Sequence, residues 1–367
     1  MKGATSMCTN LLMKRNSEND PIVSARTMDF PIKLETVVNL VPRGQRFPEI
    51  DLPEEIRWSN KYGFIGIGHP DKKLPGYFYT DGLNEVGLSA ASLWLDGSEY
   101  EYPEPGYRDV LYHGNFVNYV LGNFCDVTQA KIELSKLSIC EAPIKIVVNA
   151  RTPLHFIIID SRGDNLIVEF IDGNMKTYSN IGCSDTASLN RGILTNEPPY
   201  DWHITNLKNY ADLSLVENKK EWAGNILFSS GQFGSPGDSS PVSRFIRAHL
   251  LTQSSCQPQN IQQSIVLAQD ILQTIAVPAG TDIFDSSKNT YNWTLWSVIR
   301  DHTNRSIYFY TDFNSKLYGI HLDKFFAAIL LRSYISIKDY HRRFQFCPHP
   351  GLKAELSWTT TSFDNVL

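Results

Sequence analysis

What most constrains this chain is the order in which its apolar residues change period. Near the start, Asn10-Leu11-Leu12-Met13 and Ile22-Val23-Ser24-Ala25 flank the turn-forming run Asn16-Ser17-Glu18-Asn19-Asp20-Pro21 and read as a strand hairpin. Tyr62 to Ile67 and Gly87 to Leu95 read as further strands, with Asp81-Gly82 as a turn signal. The period then lengthens. Val110, Phe116, Val117, Val120 and Leu121 lie near helical spacing, and Asp126-Val127-Thr128-Gln129 has the form of a capping box opening a second helix through Ile132 and Leu137. Strand patterns return at Ile144 to Asn149, His155 to Asp160 and Leu166 to Ile171, the last two joined through Ser161-Arg162-Gly163-Asp164-Asn165. Helices follow at Pro241 to Thr252 and Ile261 to Val277; in the second, Ile261, Ile265, Ala268, Leu272 and Ile275 share one face and Pro278 ends the pattern. Strands close the chain at Trp293 to Arg300, Ser306 to Tyr310 and Lys316 to Leu322. Strands then helices, twice over, without the βαβ rhythm of a parallel fold, predict a single α+β domain: a layered sandwich with largely antiparallel sheets.

A chain of 367 residues with 42% hydrophobic and 12% aromatic residues has ample material for such a core. A formal charge of −5, with no basic stripe, argues against nucleic acid or an anionic membrane as partner. No apolar run approaches the roughly 18 residues of a membrane helix. Six cysteines (Cys8, Cys125, Cys140, Cys183, Cys256 and Cys347) lack CxxC spacing and read as free thiols. Cys347 and His349 have no second ligand pair nearby, so no metal site is expected. Met1 to Met7 lack the apolar stretch of a signal peptide. A cytoplasmic protein is the expectation, or a periplasmic or secreted one if a longer export leader stands ahead of them.

Cys8 is the residue on which chemistry can be built. Met7 precedes it directly, so a chain begun at Met7 and trimmed of that methionine presents Cys8 first. The hairpin then brings Arg26 and Asp29, on the returning strand, back beside it. A terminal α-amine has a pKa of about 7.7–8.0 and can take the thiol proton of its own residue. An arginine nearby stabilises thiolate, and a carboxylate can hold the amine. On the residues alone, Arg26 and Asp29 also fit a surface ion pair, Asn196 before two prolines an Asx turn, Trp94 plain core and Arg244 a surface charge.

Five ordered segments give the pattern a family. Met7-Cys8-Thr9 with Ala25-Arg26-Thr27-Met28-Asp29 resembles the opening of the choloylglycine hydrolases, which include bile salt hydrolases and penicillin V acylases. Asp81-Gly82-Leu83-Asn84-Glu85-Val86-Gly87-Leu88, running into Ala91-Ser92-Leu93-Trp94-Leu95, is similar to their strand entry. Leu194-Thr195-Asn196-Glu197-Pro198-Pro199-Tyr200-Asp201 is similar to their loop before a helix. Pro236-Gly237-Asp238 and Ser243-Arg244-Phe245-Ile246-Arg247-Ala248 resemble a further segment. The resemblance covers roughly residues 7 to 325. It implies a four-layer αββα sandwich of two largely antiparallel sheets, the fold of N-terminal-nucleophile (Ntn) hydrolases. It implies a domain from 8 to 367 with 1 to 7 removed as a leader or propeptide, by autoprocessing or by a start at Met7. The stretch from 326 to 367 matches nothing and is left as an extension.

The resemblance also implies roles. Cys8 would be nucleophile and base, with Arg26 and Asp29 flanking its thiol and amine. Asn196 and a backbone N–H near Trp94 would bind the oxyanion, and Arg244 would complete the polar site. Asn84, Phe30 and Tyr200 would line the substrate site. The reaction would cleave a linear amide through a thioester, with no cofactor. The partner would be a small N-acyl substrate, and the assembly a homo-oligomer (dimer or tetramer). Trp94 stands where bile salt hydrolases tend to carry Asn and the better known penicillin acylases Tyr. Leu93-Trp94-Leu95 resembles the branch acting on penicillin V and N-acyl-homoserine lactones, with conjugated bile salts a third choice. The alternative is a non-catalytic small-molecule binding protein on the same fold, which follows if Cys8 never becomes an N-terminus.

Overall fold

The opening hairpin forms as its pattern predicts. Strands β1 (Met7–Leu12) and β2 (Val23–Phe30) pair antiparallel, with Cys8 opposite Met28 and Asn10 opposite Arg26. The Asp20 carboxylate accepts the backbone N–H groups of Asn16 (2.8 Å) and Ser17 (3.0 Å), an Asx-type closure of the turn. The structure is a computed structural model that describes residues 7–48, 55–70, 77–102, 109–142, 151–182, 191–229, 231–285, 287, 290–323 and 344–345.

The remaining strands in chain order are β3 (Val37–Val41), β4 (Arg46–Phe47), β5 (Trp58–Ser59), β6 (Phe64–Pro70), β7 (Tyr77–Asn84), β8 (Ser89–Trp94), β9 (Asp109–Tyr112), β10 (Leu137–Cys140), β11 (Leu154–Ile159), β12 (Asn165–Ile171), β13 (Asn174–Ser179), β14 (Asn218–Trp222), β15 (Asn225–Ser229), β16 (Asp282–Asp285), β17 (Thr290–Asp301), β18 (Ser306–Thr311), β19 (Asn314–His321) and β20 (Phe344–Gln345). The helices are α1 (Phe116–Asn123), α2 (Val127–Leu134), α3 (Tyr200–Leu207), α4 (Pro241–Ser254) and α5 (Ile261–Ile275). One sheet runs β1-β2-β17-β18-β19, with β16 paired to β17; the other runs β13-β12-β11-β8-β7-β6-β3-β20. Every pairing within these two sheets is antiparallel.

Four layers result, the αββα sandwich. Helices α4 and α5 pack on β1, β2 and β17, while α1 packs on β7 and β8 from the other side. One core cluster joins the facing sides of the two sheets and continues under α4 and α5 through Phe245, Ile265, Leu272 and Ile275. A second, on the far side of the larger sheet, joins Phe64, Phe156 and Phe170 to Phe116, Val120 and Leu134 of α1 and α2. Strand alternation divides the larger sheet cleanly: Val168 and Phe170 belong to the second cluster, Ile167 to the first.

Several expectations are corrected. Asp81 and Gly82 lie inside β7, and the turn falls at Glu85-Val86-Gly87, where Gly87 has φ +85°. Gly82 serves close packing instead, since a Cβ there would sit 2.5 Å from both the Ile65 carbonyl oxygen and Leu121. Val110 belongs to β9, and α2 stops at Leu134, so Leu137 opens β10 beside β9. The Leu134–Leu137 spacing imitates a helical step although the chain has already turned. Asp126 does cap α2, its carboxylate accepting from Gln129 N at 2.8 Å, while the Gln129 side chain reaches back to the Cys125 N–H at 3.0 Å. The strand expected at Ile144 to Asn149 and the Cys347–His349 pair lie outside the described residues. So does most of the extension after 326, though Phe344–Gln345 within it pairs with β3 at the sheet edge.

Candidate active site

Cys8 is the second residue of β1 and is 1% exposed. Its Sγ lies 3.3 Å from Nη2 of Arg26 and 3.6 Å from Sδ of Met28. Both neighbours come from alternate positions of β2, so sulfur, thioether and guanidinium share the face that meets the larger sheet.

Arg26 is held from that sheet. Its Nη1 donates to the Thr80 carbonyl (2.7 Å) and to Asp81 Oδ2 (3.1 Å), and its Nη2 to the Ser92 carbonyl (2.6 Å). Its guanidinium carbon stands 5.5 Å over the ring of Trp296. Burial works against the Arg26 charge, but the charges of Cys8 and Asp81 outweigh it and hold the guanidinium above its ordinary pKa.

On the backbone side of Cys8, two residues act together. Asn196 Oδ1 accepts the Cys8 N–H at 2.7 Å and Nη2 of Arg244 at 2.8 Å; these two donors fix which way its amide faces. Its Nδ2 then donates to the Trp94 carbonyl at 2.8 Å. Arg244, from the first turn of α4, also donates Nη1 to the Cys8 carbonyl (2.7 Å) and to Thr9 Oγ1, and Nε to the Ser239 carbonyl (2.9 Å). Both polar ends of the cysteine backbone are therefore clamped from outside the strand.

The Asn196 stretch has supports of its own. His155 lies 2.9 Å from the Thr195 carbonyl and 2.9 Å from Glu169, whose carboxylate also accepts the Tyr200 N–H at 3.1 Å. His203 Nε2 lies 3.0 Å from the Asn196 carbonyl, with its ring stacked on Phe245 at 4.7 Å. Burial pushes His203 down to about 4, so it is neutral at physiological pH.

Asp29 sits on the opposite face of β2 from the sulfur. Its Oδ1 accepts from Thr294 Oγ1 (2.6 Å), its Oδ2 from Thr27 Oγ1 (3.2 Å), and Arg244 Nη1 is 3.7 Å away. Its register partner on β1 is Met7, so the carboxylate belongs beside the backbone just ahead of Cys8. Burial raises the Asp29 pKa and lowers that of Arg244, each against the attraction of the other.

The remaining expected residues divide. Phe30 and Trp94 meet edge to face at 6.4 Å beside the site. Tyr200 packs between Tyr178 (5.0 Å) and Phe245 (6.1 Å) at the start of α3 and is core. Asn84 is spent elsewhere: Nδ2 donates to the Leu121 and Phe124 carbonyls (3.0 and 2.9 Å), and Oδ1 accepts the N–H groups of Val86 and Leu88 (3.2 and 2.8 Å). It pins the turn after β7 to the end of α1 and does not reach Cys8. Sequence reasoning missed Arg300 and read Asp81 only as a turn residue. Arg300 Nε donates to Asp81 Oδ1 at 2.7 Å and its Nη2 bonds Oδ2, tying the two sheets together behind Arg26. Only the unusual placement of an acid and a base within apolar strand runs hinted at either. Among the described residues no group of His, Cys, Asp or Glu side chains is arranged to hold a metal, and no helix is long and apolar enough to cross a membrane.

A buried cysteine on the first strand of an αββα sandwich, with guanidinium at the sulfur and a side-chain amide at the nitrogen, defines the Ntn-hydrolase class. Within it, the chain belongs to the choloylglycine hydrolase family of linear amide C–N hydrolases, whose family model matches residues 8–326. It is 26% identical over 329 residues to a bile salt hydrolase/transferase of Clostridium perfringens, covering 87% of this chain and 93% of that one. It is 25% identical over 332 residues to a penicillin V acylase of Pectobacterium atrosepticum, covering 86% and 81%. A crystal structure of a mutant conjugated bile acid hydrolase from Clostridium perfringens superposes with a TM-score of 0.74 at 23% identity, over 93% of this chain and 97% of that one. The structure of a penicillin V acylase from Agrobacterium tumefaciens gives 0.67 at 24%, over 86% and 87%.

Proposed function

We propose that Cys8, once it is the N-terminal residue, is the nucleophile that opens the amide of a small N-acyl substrate. The observation that carries the reading is the convergence of three groups on one residue: Arg26 at its sulfur, Asn196 at its nitrogen and Arg244 at its carbonyl. Loss of Met1 to Met7 turns the Cys8 peptide N–H into an α-amine, still facing Asn196 and the register position of Asp29. That amine takes the thiol proton as sulfur attacks the substrate carbonyl. Asn196 Nδ2, which keeps a second hydrogen beyond its bond to Trp94, and a backbone N–H near Trp94 stabilise the oxyanion. Collapse breaks the C–N bond; the leaving amine takes the proton and a thioester remains. Water, deprotonated by the α-amine, then attacks the thioester, releasing the acid and the free thiol.

The acyl side is apolar in this reading. Met28 touches the sulfur, Trp296 lies under the Arg26 guanidinium and Phe30 packs edge to face on Trp94, and none of these brings a charge. Phenoxyacetyl (as in penicillin V) and fatty acyl (as in N-acyl-homoserine lactones) groups are favoured, with the bile acid of a conjugated bile salt as a further substrate. Relatives named for penicillin V and for bile salts support two of these three choices. A homo-oligomer belongs to the proposal as well. Val216 (71% exposed), Ile226 and Phe233 (75% exposed) form an apolar excursion between α3 and α4 that suits contact with a second copy.

Intact mass and N-terminal sequencing of the expressed full chain, followed by hydrolysis assays on penicillin V, a long-chain N-acyl-homoserine lactone and glycocholate, test the reading. The expected result is a chain starting at Cys8 that cleaves penicillin V or the lactone. Active protein still starting at Met1 would overturn the nucleophile assignment, and cleavage of glycocholate alone would overturn the acyl preference.

A further inference from the structure

We propose that Arg300 is a positioning residue for catalysis: by neutralising Asp81, it leaves the charge of Arg26 free for the sulfur of Cys8. The proposal rests on Cys8 as nucleophile, as read above, and on a cluster in which neither Asp81 nor Arg300 touches that sulfur.

Asp81 is fully buried, and Arg300 grips both of its oxygens, Nε on Oδ1 at 2.7 Å and Nη2 on Oδ2. Arg26 reaches the same carboxylate with one nitrogen only, at the longer distance of 3.1 Å, and keeps Nη2 for Cys8 Sγ at 3.3 Å. Arg300 is itself fixed by Nη1 bonds to Asn10 Oδ1 and Ser24 Oγ, both 3.0 Å. Ser24 Oγ lies 2.8 Å from His302 Nε2, and His302 Nδ1 lies 2.8 Å from the Gly87 carbonyl. The carbonyl can only accept, so Nδ1 carries the proton and Nε2 accepts from the serine hydroxyl. Ser24 Oγ is then left with a lone pair for Arg300. Each donor in this chain has an acceptor, and the direction of every bond is set by the next.

The charges near the sulfur come from every surrounding element. Arg26 and Asp29 stand on β2, Asp81 on β7, Arg300 on β17 and Arg244 on α4. Glu197 beside Asn196 and Asp282 on β16 act on Arg244, while Arg26 in turn acts on His69 of β6 and Arg300 on His302, which follows β17. Of the five charges placed on β2, β7, β17 and α4, three are guanidiniums and two are carboxylates, a formal excess of one positive charge around Cys8. Without Arg300 the excess vanishes, and Asp81 meets Arg26 alone. Arginine and carboxylate prefer the two-bond fork. Forming it would turn Nη2 of Arg26 away from sulfur and toward Asp81.

The test is the rate at which iodoacetamide alkylates Cys8, followed by mass spectrometry of the Cys8 peptide from pH 5 to 9, in wild type, Arg300→Gln, Arg300→Lys and the double variant Asp81→Asn/Arg300→Gln. The profile of Arg300→Gln should move upward by about one pH unit, roughly ten-fold slower alkylation on its acid side. Arg300→Lys, which keeps the charge but not the fork, should move less. The double variant, which restores the excess of one positive charge, should return to the wild-type position. A folded Arg300→Gln protein with the wild-type profile would overturn the proposal, as would a double variant displaced as far as the single one. If Arg300→Gln does not fold, Arg300→Lys and the double variant decide: equal displacement of both overturns it, and a double variant at the wild-type position supports it. Failure of the nucleophile reading looks different, because Cys8 would then be alkylated without loss of hydrolysis.

Discussion

The two faces of the eight-stranded sheet are built on opposite principles. Toward α1 and α2 the face is aromatic and apolar: Phe64, Phe116, Phe156 and Phe170 are fully buried, and Phe116 stacks on Phe156 at 3.9 Å between centroids. Toward the six-stranded sheet, the same strands interleave Ile67, Ile157 and Ile167 with Asp81, His155 and Glu169. Apolar burial stabilises by about 25 cal/mol per Å² and asks for no geometry. Burying Asp81, Arg26, Arg300, Asp29 and Arg244 instead carries a desolvation penalty of several kcal/mol per ion, offset only where hydrogen bonds are complete. One face holds the sandwich together; the other spends part of that stability to keep charge beside Cys8.

Substitutions on the two faces therefore separate activity from stability. The largest effect is expected at the sulfur. Cys8→Ala should lower kcat by on the order of 10⁶, the size met when a lone covalent nucleophile is removed. Its thermal midpoint should stay near wild type, because the change leaves only a small gap beside Met28. Measurable turnover by the Ala variant would remove Cys8 from the mechanism. The converse is Phe116→Ala on the other face, expected to cost about 3–5 kcal/mol of stability in urea denaturation. Its kcat per folded molecule should be unchanged, and a large loss of turnover there would break the contrast between the faces.

Asn196→Ala is expected to fall between these. Loss of one oxyanion donor costs about 10²–10³ in kcat. Because Asn196 Oδ1 also receives Cys8 N–H and Arg244, the variant should lose some stability as well. Asn196→Asp separates the two roles. It keeps an acceptor for Arg244 but has no N–H for the oxyanion or for the Trp94 carbonyl, so its kcat should stay low while its melting point recovers only in part. Equal activity in the Ala and wild-type proteins would place the oxyanion elsewhere.

The faces also differ in how far they can be read from sequence. The α+β succession of strands and helices, the hairpin carrying Cys8 and Arg26, and helices α4 and α5 follow from apolar periodicity and turn residues, which are local signals; the four-layer order comes from the family resemblance. Strand β13 escapes because none of its residues is buried and they alternate weakly. Helix α3 escapes because its eight residues follow Pro198-Pro199 and bury only one narrow side. The polar cluster is harder still. Arg300 and Asp81 are 219 residues apart, and Trp296 meets Met28 only because β17 inserts beside β2. Long-range pairing of this kind leaves no periodic trace. Asn196 and Arg244 stood out through family resemblance alone, and the same resemblance promoted Asn84, whose four bonds hold a turn and a helix end.

Glu55 offers a smaller test, because it is a carboxyl buried on the helix side without a cation to balance it among the described residues. Its Oε1 accepts the Tyr112 N–H at 3.1 Å and Asn115 Nδ2 at 2.9 Å, joining the end of β9 to the approach to α1. Burial pushes the carboxyl up to about 7, against the pull of those two hydrogen bonds. A folded pKa raised above the unfolded value of about 4.3 means that the fold favours the neutral acid. Its contribution to stability is complete below about 4.3 and is lost as pH rises through about 7. Neutral Gln keeps the acceptor and cannot ionise. The melting point of Glu55→Gln relative to wild type should therefore rise from pH 6 to pH 8, while other groups that titrate in both proteins cancel from the difference. A constant offset across that range would mean that Glu55 is ionised in the fold, and that charge is tolerated on the helix side as readily as between the sheets.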